Sequence, residues 1–301
     1  MKIDILGAGA LGTAMAITLS KKNKVRLIAL PQFIEEIKKG QNRFSKEGAL
    51  PEGVEIEAEF SKDPDVIFIT TPSQQIVSVT KRLKDEVSSS LPVIFCSKGL
   101  YEKDKKPYLM TTYAREVISN PLHVLCGPNF AHELILFQKS FTNIAGPHAK
   151  ELCQALTQDY FVMIPWHDVI GLQVTGCLKN VFAVAFGYYE GQKRGLNEKA
   201  ALYPQAFKEM KAFGKHFWPD EFDSDTLMTY GGVGDLVLTC TSTYSRSFRL
   251  GLDLAKGQTF AQSQSQDLSA AEGAYTAISI HDIARDLNMD VCEWVYDLVK
   301  G

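Results

Sequence analysis

The chain has 301 residues, 45% hydrophobic and 22% charged, with a formal net charge of −3. That composition suits a globular protein long enough for two domains, and it excludes a broad basic face for nucleic acid. Six dispersed cysteines (Cys96, Cys126, Cys153, Cys177, Cys240 and Cys292) form no C-x-x-C pair, so neither a disulfide framework nor a metal site is indicated.

The first segment reads as a strand, Lys2–Leu6, entering the loop Gly7-Ala8-Gly9-Ala10-Leu11-Gly12. A helix over Leu11–Lys22 and a strand over Val25–Leu30 follow. G-x-G-x-x-G between a strand and a helix is the context of a dinucleotide site. Gly7 permits the tight turn, Gly9 lets backbone N–H groups approach a pyrophosphate, and Gly12 lets the helix pack on the strand. The helix N-terminus favours phosphate charge. The end of the second strand, Leu30-Pro31-Gln32, has neither the acid that reads a ribose 2′-hydroxyl nor an arginine for a 2′-phosphate. NAD and NADP are therefore not distinguished.

Further strands are expected at Val66–Thr71, Val93–Cys96, His123–Cys126 and Phe161–Ile164, with amphipathic segments at Phe33–Lys39 and Gln75–Val87. This rhythm predicts a mostly parallel sheet covered by helices. After Trp166 the pattern becomes helical, over 167–189, 196–217, 225–240, 247–256 and 271–287. The expected fold is an α/β Rossmann domain, residues 1–168, followed by an all-α domain, residues 169–301. The QSQSQ stretch at 262–266 reads as a polar loop and EKDKK at 102–106 as a solvated turn. The N-terminus lacks the features of a signal peptide. No run of about 18 apolar residues suggests a membrane span. With the cysteine usage, this points to the cytoplasm.

One lysine is out of place. Lys179, in GCLKNVFAVAFG, shares a helix face with Thr175, Phe182, Ala183 and Phe186, and no carboxylate lies within a turn. Either it snorkels to water or it is held where its proton is used. Other polar stretches bear on this. Lys98, in CSKG, and Gly127-Pro128-Asn129, in CGPNFAHE, each follow a strand, where open parallel sheets bind ligands. Asp235, in GGVGDLVLTC, is either a helix cap or the carboxylate that Lys179 lacks locally. Ser245, Arg246 and Ser247 stand in a hydroxyl-rich segment before a helix. A cap explains Ser245; an anion site explains the whole group.

Together these pieces resemble the NAD(P)-dependent glycerol-3-phosphate dehydrogenases. The similarity rests on GAGALGTAMA, SKGL, GPNFAHE, LKNVFAVAFG, GLNEKAAL, GVGDLVLTCTSTYSR and AEGAYTA, in the family's order across nearly the whole chain. The resemblance implies reduction of dihydroxyacetone phosphate to sn-glycerol 3-phosphate, for glycerophospholipid synthesis, by a homodimer using NAD or NADP. It implies that Lys179 is the catalytic proton donor and acceptor, acting with Lys98 and Asp235. It further implies that Lys98, Gly127, Asn129, Lys179 and Asp235 contact substrate and that Ser245, Arg246 and Ser247 surround its phosphate. Beside Gly7, Gly9 and Gly12, it assigns Ala10, Leu11, Leu30, Lys98, Ala131, Arg246, Ala270 and Glu272 to the cofactor. An apolar helix and a second cation at Lys98 would both disfavour the charged form of Lys179, as a proton donor near neutrality requires, while Asp235 could oppose that shift and fix the ammonium's position.

The chain departs from the family at four places. Ser247 stands where asparagine is usual, Leu30 where bacterial members carry a basic residue, and Gln205-Ala206 where Arg-Gly is usual. Family members generally continue past the equivalent of Gly301 with another helix. The alternatives are a two-domain dehydrogenase for another hydroxyacid or sugar acid, which would lack the Ser-Arg cluster, and a low-activity or non-catalytic dinucleotide-binding copy. The presence of both Lys179 and Asp235 weighs against the last.

Overall fold

The computed structural model describes residues 1–41, 50–104, 106–266 and 272–301. The elements run β1 (Lys2–Leu6), α1 (Ala10–Leu19), β2 (Lys24–Ile28), α2 (Ile34–Lys38), β3 (Glu55–Glu57), β4 (Val66–Ile69), α3 (Ile76–Glu86), β5 (Val93–Phe95), β6 (Tyr101–Lys103), β7 (Lys106–Tyr108), α4 (Met110–Arg115), β8 (Leu122–Cys126), α5 (Ala131–Ile135), β9 (Ser140–Ala145), α6 (Ala149–Leu156) and β10 (Phe161–Trp166). Helices follow: α7 (Val169–Gly191), α8 (Leu196–Phe217), α9 (Asp235–Cys240), α10 (Arg246–Ala255), α11 (Phe260–Gln266), α12 (Glu272–Ser279), α13 (His281–Asp286) and α14 (Asp290–Lys300).

The chain divides into two compact units. The first, Met1–Ser97 with Met110–Val169, holds one eight-stranded sheet of order β10-β9-β8-β5-β4-β1-β2-β3. Every neighbouring pair is parallel except β8 with β9. The central strands are apolar on both faces because helices cover both; all four residues of β4 are buried. The order β3-β2-β1-β4-β5-β8 reverses direction between β1 and β4, the switch point at which doubly wound sheets bind dinucleotides. This is the expected Rossmann-type sheet. β3 and β9 were not expected. The first is a three-residue strand with two glutamates, and the second carries buried Ser140, Thr142 and Asn143, so neither shows an apolar run.

The second unit comprises Lys98–Leu109 and Ile170–Gly301. A single cut at residue 168 does not capture this: Leu100 and Leu109 pack in the helical core, which draws their segment into the second unit. Within it β6 and β7 pair as an antiparallel hairpin; of EKDKK, Glu102, Lys103, Asp104 and Lys106 are exposed, with Asp104 in a turn as expected, and Lys105 lies outside the described residues. QSQSQ, expected as a loop, belongs to α11; glutamine is a good helix former and polarity alone does not break a helix.

α7 is the axis of this unit. Residues Ile170 through Gly187 are all buried, the mark of a core helix. By length and hydropathy α7 is also apolar enough to cross a membrane, contrary to the expectation from the sequence, but 89% of its most apolar window is buried within the protein. Each fully buried Leu, Val or Phe here contributes roughly 1.5–3 kcal/mol. α10 crosses α7 closely: a Cβ on Gly187 would overlap the Phe248 carbonyl, and one on Gly251 the Val184 carbonyl. The first turn of α14 is clamped by Glu209 of α8, which accepts the N–H groups of Val291 (2.8 Å) and Cys292 (3.1 Å). Gln205 donates to the same carboxylate at 3.0 Å, and Ala206 is fully buried, so the departure at these two positions is built into the packing. Burial pushes the Glu209 carboxyl up, against the hydrogen bonds from Val291, Cys292 and Gln205.

Candidate active site

In the first unit the glycine loop lies at the switch point. Gly7 has φ +118°, a conformation that L side chains rarely adopt, and a Cβ there would crowd Thr70 and Thr71 beyond β4. A Cβ on Gly12 would overlap the Gly7 carbonyl oxygen, whereas the space around Gly9 is open. Gly9 is the N-cap of α1; no side chain caps this helix end and no acid stands in its first turn. Ala10 and Leu11 open the helix. Two buried polar atoms beyond strand ends lack hydrogen-bond partners: Ser73 Oγ after β4 and Asn129 Oδ1 after β8. Such atoms are costly unless a ligand satisfies them. A helix N-terminus without a side-chain cap and the orphaned Ser73 hydroxyl past β4 fit a dinucleotide.

The other residues assigned to this unit are placed as follows. Leu30, just past β2, is 59% exposed. Arg26 does not substitute for a charge there, because it is engaged with Glu55 at 2.6 Å. Gly127 packs against the Thr142 backbone, Asn129 donates to Thr142 Oγ1 at 3.0 Å, and Ala131 begins α5.

In the second unit the lysine question is answered. Lys179 is only 6% exposed; its Nζ lies 2.7 Å from Asp235 Oδ1 and 2.7 Å from Thr239 Oγ1. Lys98 Nζ lies 2.7 Å from the other oxygen, Asp235 Oδ2. One carboxylate, 1% exposed, thus bridges two ammonium groups. Burial would raise the Asp235 carboxyl, but Lys179 and Lys98 outweigh it and hold it below its usual value. The sequence places Asp235 there through the glycines before it. Tyr230–Gly234 forms a π-helical turn, and Asp235 is the first residue of α9 rather than its cap, which is Gly234. Thr239, four residues on, donates to the Asp235 carbonyl at 2.6 Å while accepting from Lys179. The sequence shows it as part of GVGDLVLTC but gives it no role of its own, because a threonine inside LVLTC looks like an ordinary helix residue.

Ser245 is the N-cap of α10, accepting the Phe248 N–H at 3.2 Å. Ser247, 3% exposed, accepts the Gly273 N–H at 3.3 Å. Arg246, between them, is exposed. Glu272 opens α12; burial pushes its carboxyl up, against the charges of Arg246, Lys179 and Lys98. Ala270 lies outside the described residues.

A glycine loop at the switch point of a parallel sheet, joined in one chain to a buried Lys-Asp-Lys cluster, defines a nicotinamide-dependent dehydrogenase of two-domain plan. Comparison with known proteins makes the assignment specific. The family models for the N-terminus and C-terminus of NAD-dependent glycerol-3-phosphate dehydrogenase match residues 2–152 and 168–301. The chain belongs to this family. It is 33% identical to a glycerol-3-phosphate dehydrogenase [NAD(P)+] of Roseobacter denitrificans, covering 100% of this chain and 94% of the relative. It is 32% identical to another of Mesorhizobium japonicum, covering 96% and 84%. The crystal structure of glycerol-3-phosphate dehydrogenase from Coxiella burnetii superposes with a TM-score of 0.90 at 29% identity, over 99% of this chain and 94% of that one.

Proposed function

We propose that this chain reduces dihydroxyacetone phosphate to sn-glycerol 3-phosphate, a precursor of glycerophospholipids, with NAD or NADP as coenzyme. The observation that carries this reading is the Asp235 carboxylate shared by the buried ammonium groups of Lys179 and Lys98.

When bound, the coenzyme supplies a hydride to the substrate carbonyl carbon. The carbonyl oxygen takes a proton from Lys179 Nζ, so the ketone becomes a secondary alcohol and Lys179 is left neutral until it regains a proton. Asp235 and Thr239 fix the direction of Nζ. Lys98 adds positive charge beside the oxygen on which negative charge develops. Two lysines against one carboxylate leave the cluster with net positive charge, suited to an anionic substrate.

Arg246 pairs with the substrate phosphate, aided by the first-turn N–H groups of α10. Ser245 and Ser247 each accept from a backbone N–H, which leaves the hydroxyl hydrogens to donate. Gly127 and Asn129 hold the remainder of the substrate, with Asn129 Oδ1 accepting from a hydroxyl. Gly7, Gly9, Ala10, Leu11 and Gly12 hold the pyrophosphate. Leu30, Lys98, Ala131, Arg246 and Glu272 contact the rest of the dinucleotide.

NADH and NADPH oxidation, each with and without dihydroxyacetone phosphate, tests the assignment. Oxidation that depends on dihydroxyacetone phosphate is expected. Oxidation driven by another oxo-acid alone would favour the related two-domain dehydrogenases. The same reading makes the protein a cytoplasmic homodimer; all six cysteines are buried thiols rather than disulfides, in keeping with a reducing compartment.

A further inference from the structure

Asn180 follows Lys179 on α7 and is 8% exposed. Asparagine is a mediocre helix former, and a buried amide must find partners. Its Nδ2 donates to the Lys98 carbonyl at 3.2 Å and lies 3.4 Å from the Gly176 carbonyl, one turn back on α7. Lys98 stands in backbone that belongs to neither strand nor helix, where a carbonyl removed from water needs a donor from elsewhere.

Lys98 is thereby held twice. Its ammonium is held by Asp235 and its main chain by Asn180, and both partners adjoin Lys179, one through a shared carboxylate and one through the peptide bond. The Lys98 side chain is 18% exposed against 8% for Lys179, so it is the cluster's member with the easier route to water. Its long stem gives it the freedom to take that route. Leu100, two residues on, is buried in the helical core, so the segment is anchored on both sides of Gly99.

We propose that Asn180 is a positioning residue. Its amide fixes the Lys98 main chain, which keeps the Lys98 ammonium on Asp235 and sets the spacing of the two ammonium groups that meet the substrate. This rests on the reading of Lys98 given above.

The test is a double-mutant cycle on the full chain. Asn180→Asp is nearly isosteric but turns an acceptor toward the Lys98 carbonyl; Asn180→Ala removes the amide with little risk to the helix. Each is combined with Lys98→Met. With Lys98 present, either change should lower kcat for dihydroxyacetone phosphate by about tenfold, as coupled neighbours do. NADH affinity, read by fluorescence, should stay within about twofold. In Lys98→Met, the same Asn180 changes should cost less than about twofold. Equal losses in both backgrounds, or unchanged kcat in Asn180→Ala, would overturn the proposal while leaving the role of Lys98 intact. Full turnover in Lys98→Met alone would remove the reading of Lys98, and the proposal with it.

Discussion

Asp235 Oδ1 lies 2.7 Å from Lys179 Nζ although 56 residues separate the two in the chain. The pair is buried, so neither partner is compensated by water once the other is lost. Asp235→Asn should therefore abolish turnover and also destabilise the helical unit by about 3–5 kcal/mol, the cost of stranding one buried charge. Thermal unfolding beside the activity assay checks both. An Asp235→Asn protein with unchanged Tm would mean that the two lysines are stable without their counter-ion.

The lowered Asp235 carboxyl fixes the sign of its pH dependence. A group with a depressed folded pKa contributes stability above its unfolded value, near 3.8 for this carboxyl, and loses it as pH falls through the lower folded value. Above about pH 5 the Asp235 carboxyl should be fully ionised. Carbon NMR of the side-chain carboxyl should show no titration above about pH 4. A transition between pH 5 and 7 would show that burial outweighs the two lysines.

Leu30 bears on coenzyme choice. It is exposed and uncharged, and Arg26 is tied to Glu55. Discrimination between NADH and NADPH should be weak, less than about a hundredfold in kcat/KM, since a missing charge-assisted contact is worth roughly 1.5–3 kcal/mol. Leu30→Arg should shift the ratio toward NADPH. A strong preference in the unmodified protein would place the reading of the ribose on another residue.

Arg246→Lys keeps the charge but loses the planar fork. It should impair kcat/KM for dihydroxyacetone phosphate far more than for unphosphorylated dihydroxyacetone, because the remote phosphate helps orient the reacting carbonyl. Equal impairment of both substrates would remove Arg246 from the phosphate site. Ser247 is a poorer probe: its hydroxyl joins α10 to Gly273, so replacing it disturbs packing as well as binding.

Much of this was legible in the residues. The glycine loop declared the nucleotide-binding sheet because its spacing serves local backbone geometry, which a sequence records directly. Lys179 stood out because a charge in an apolar helix needs a reason. Its partner could be suggested but not placed, since a contact across 56 residues depends on how α7 and α9 pack. Thr239 and Asn180 lie inside the stretches GVGDLVLTCTSTYSR and LKNVFAVAFG, yet the sequence gives neither a role of its own, because their hydrogen bonds to carbonyls and from Lys179 exist only in the folded chain. Lys98 read as part of the nucleotide-binding half because it follows β5; only Leu100 and Leu109, packed in the other core, reveal where its segment belongs.

The most direct test of the account is Lys179→Met, which keeps the length and apolar character of the side chain and removes its proton. Turnover of dihydroxyacetone phosphate and NADH affinity should be measured on the same preparation. The account predicts unchanged NADH affinity and a turnover lower by about two to four orders of magnitude, the scale of a lost general acid. Near-normal turnover would contradict it and leave Lys179 a structural residue of the helical core.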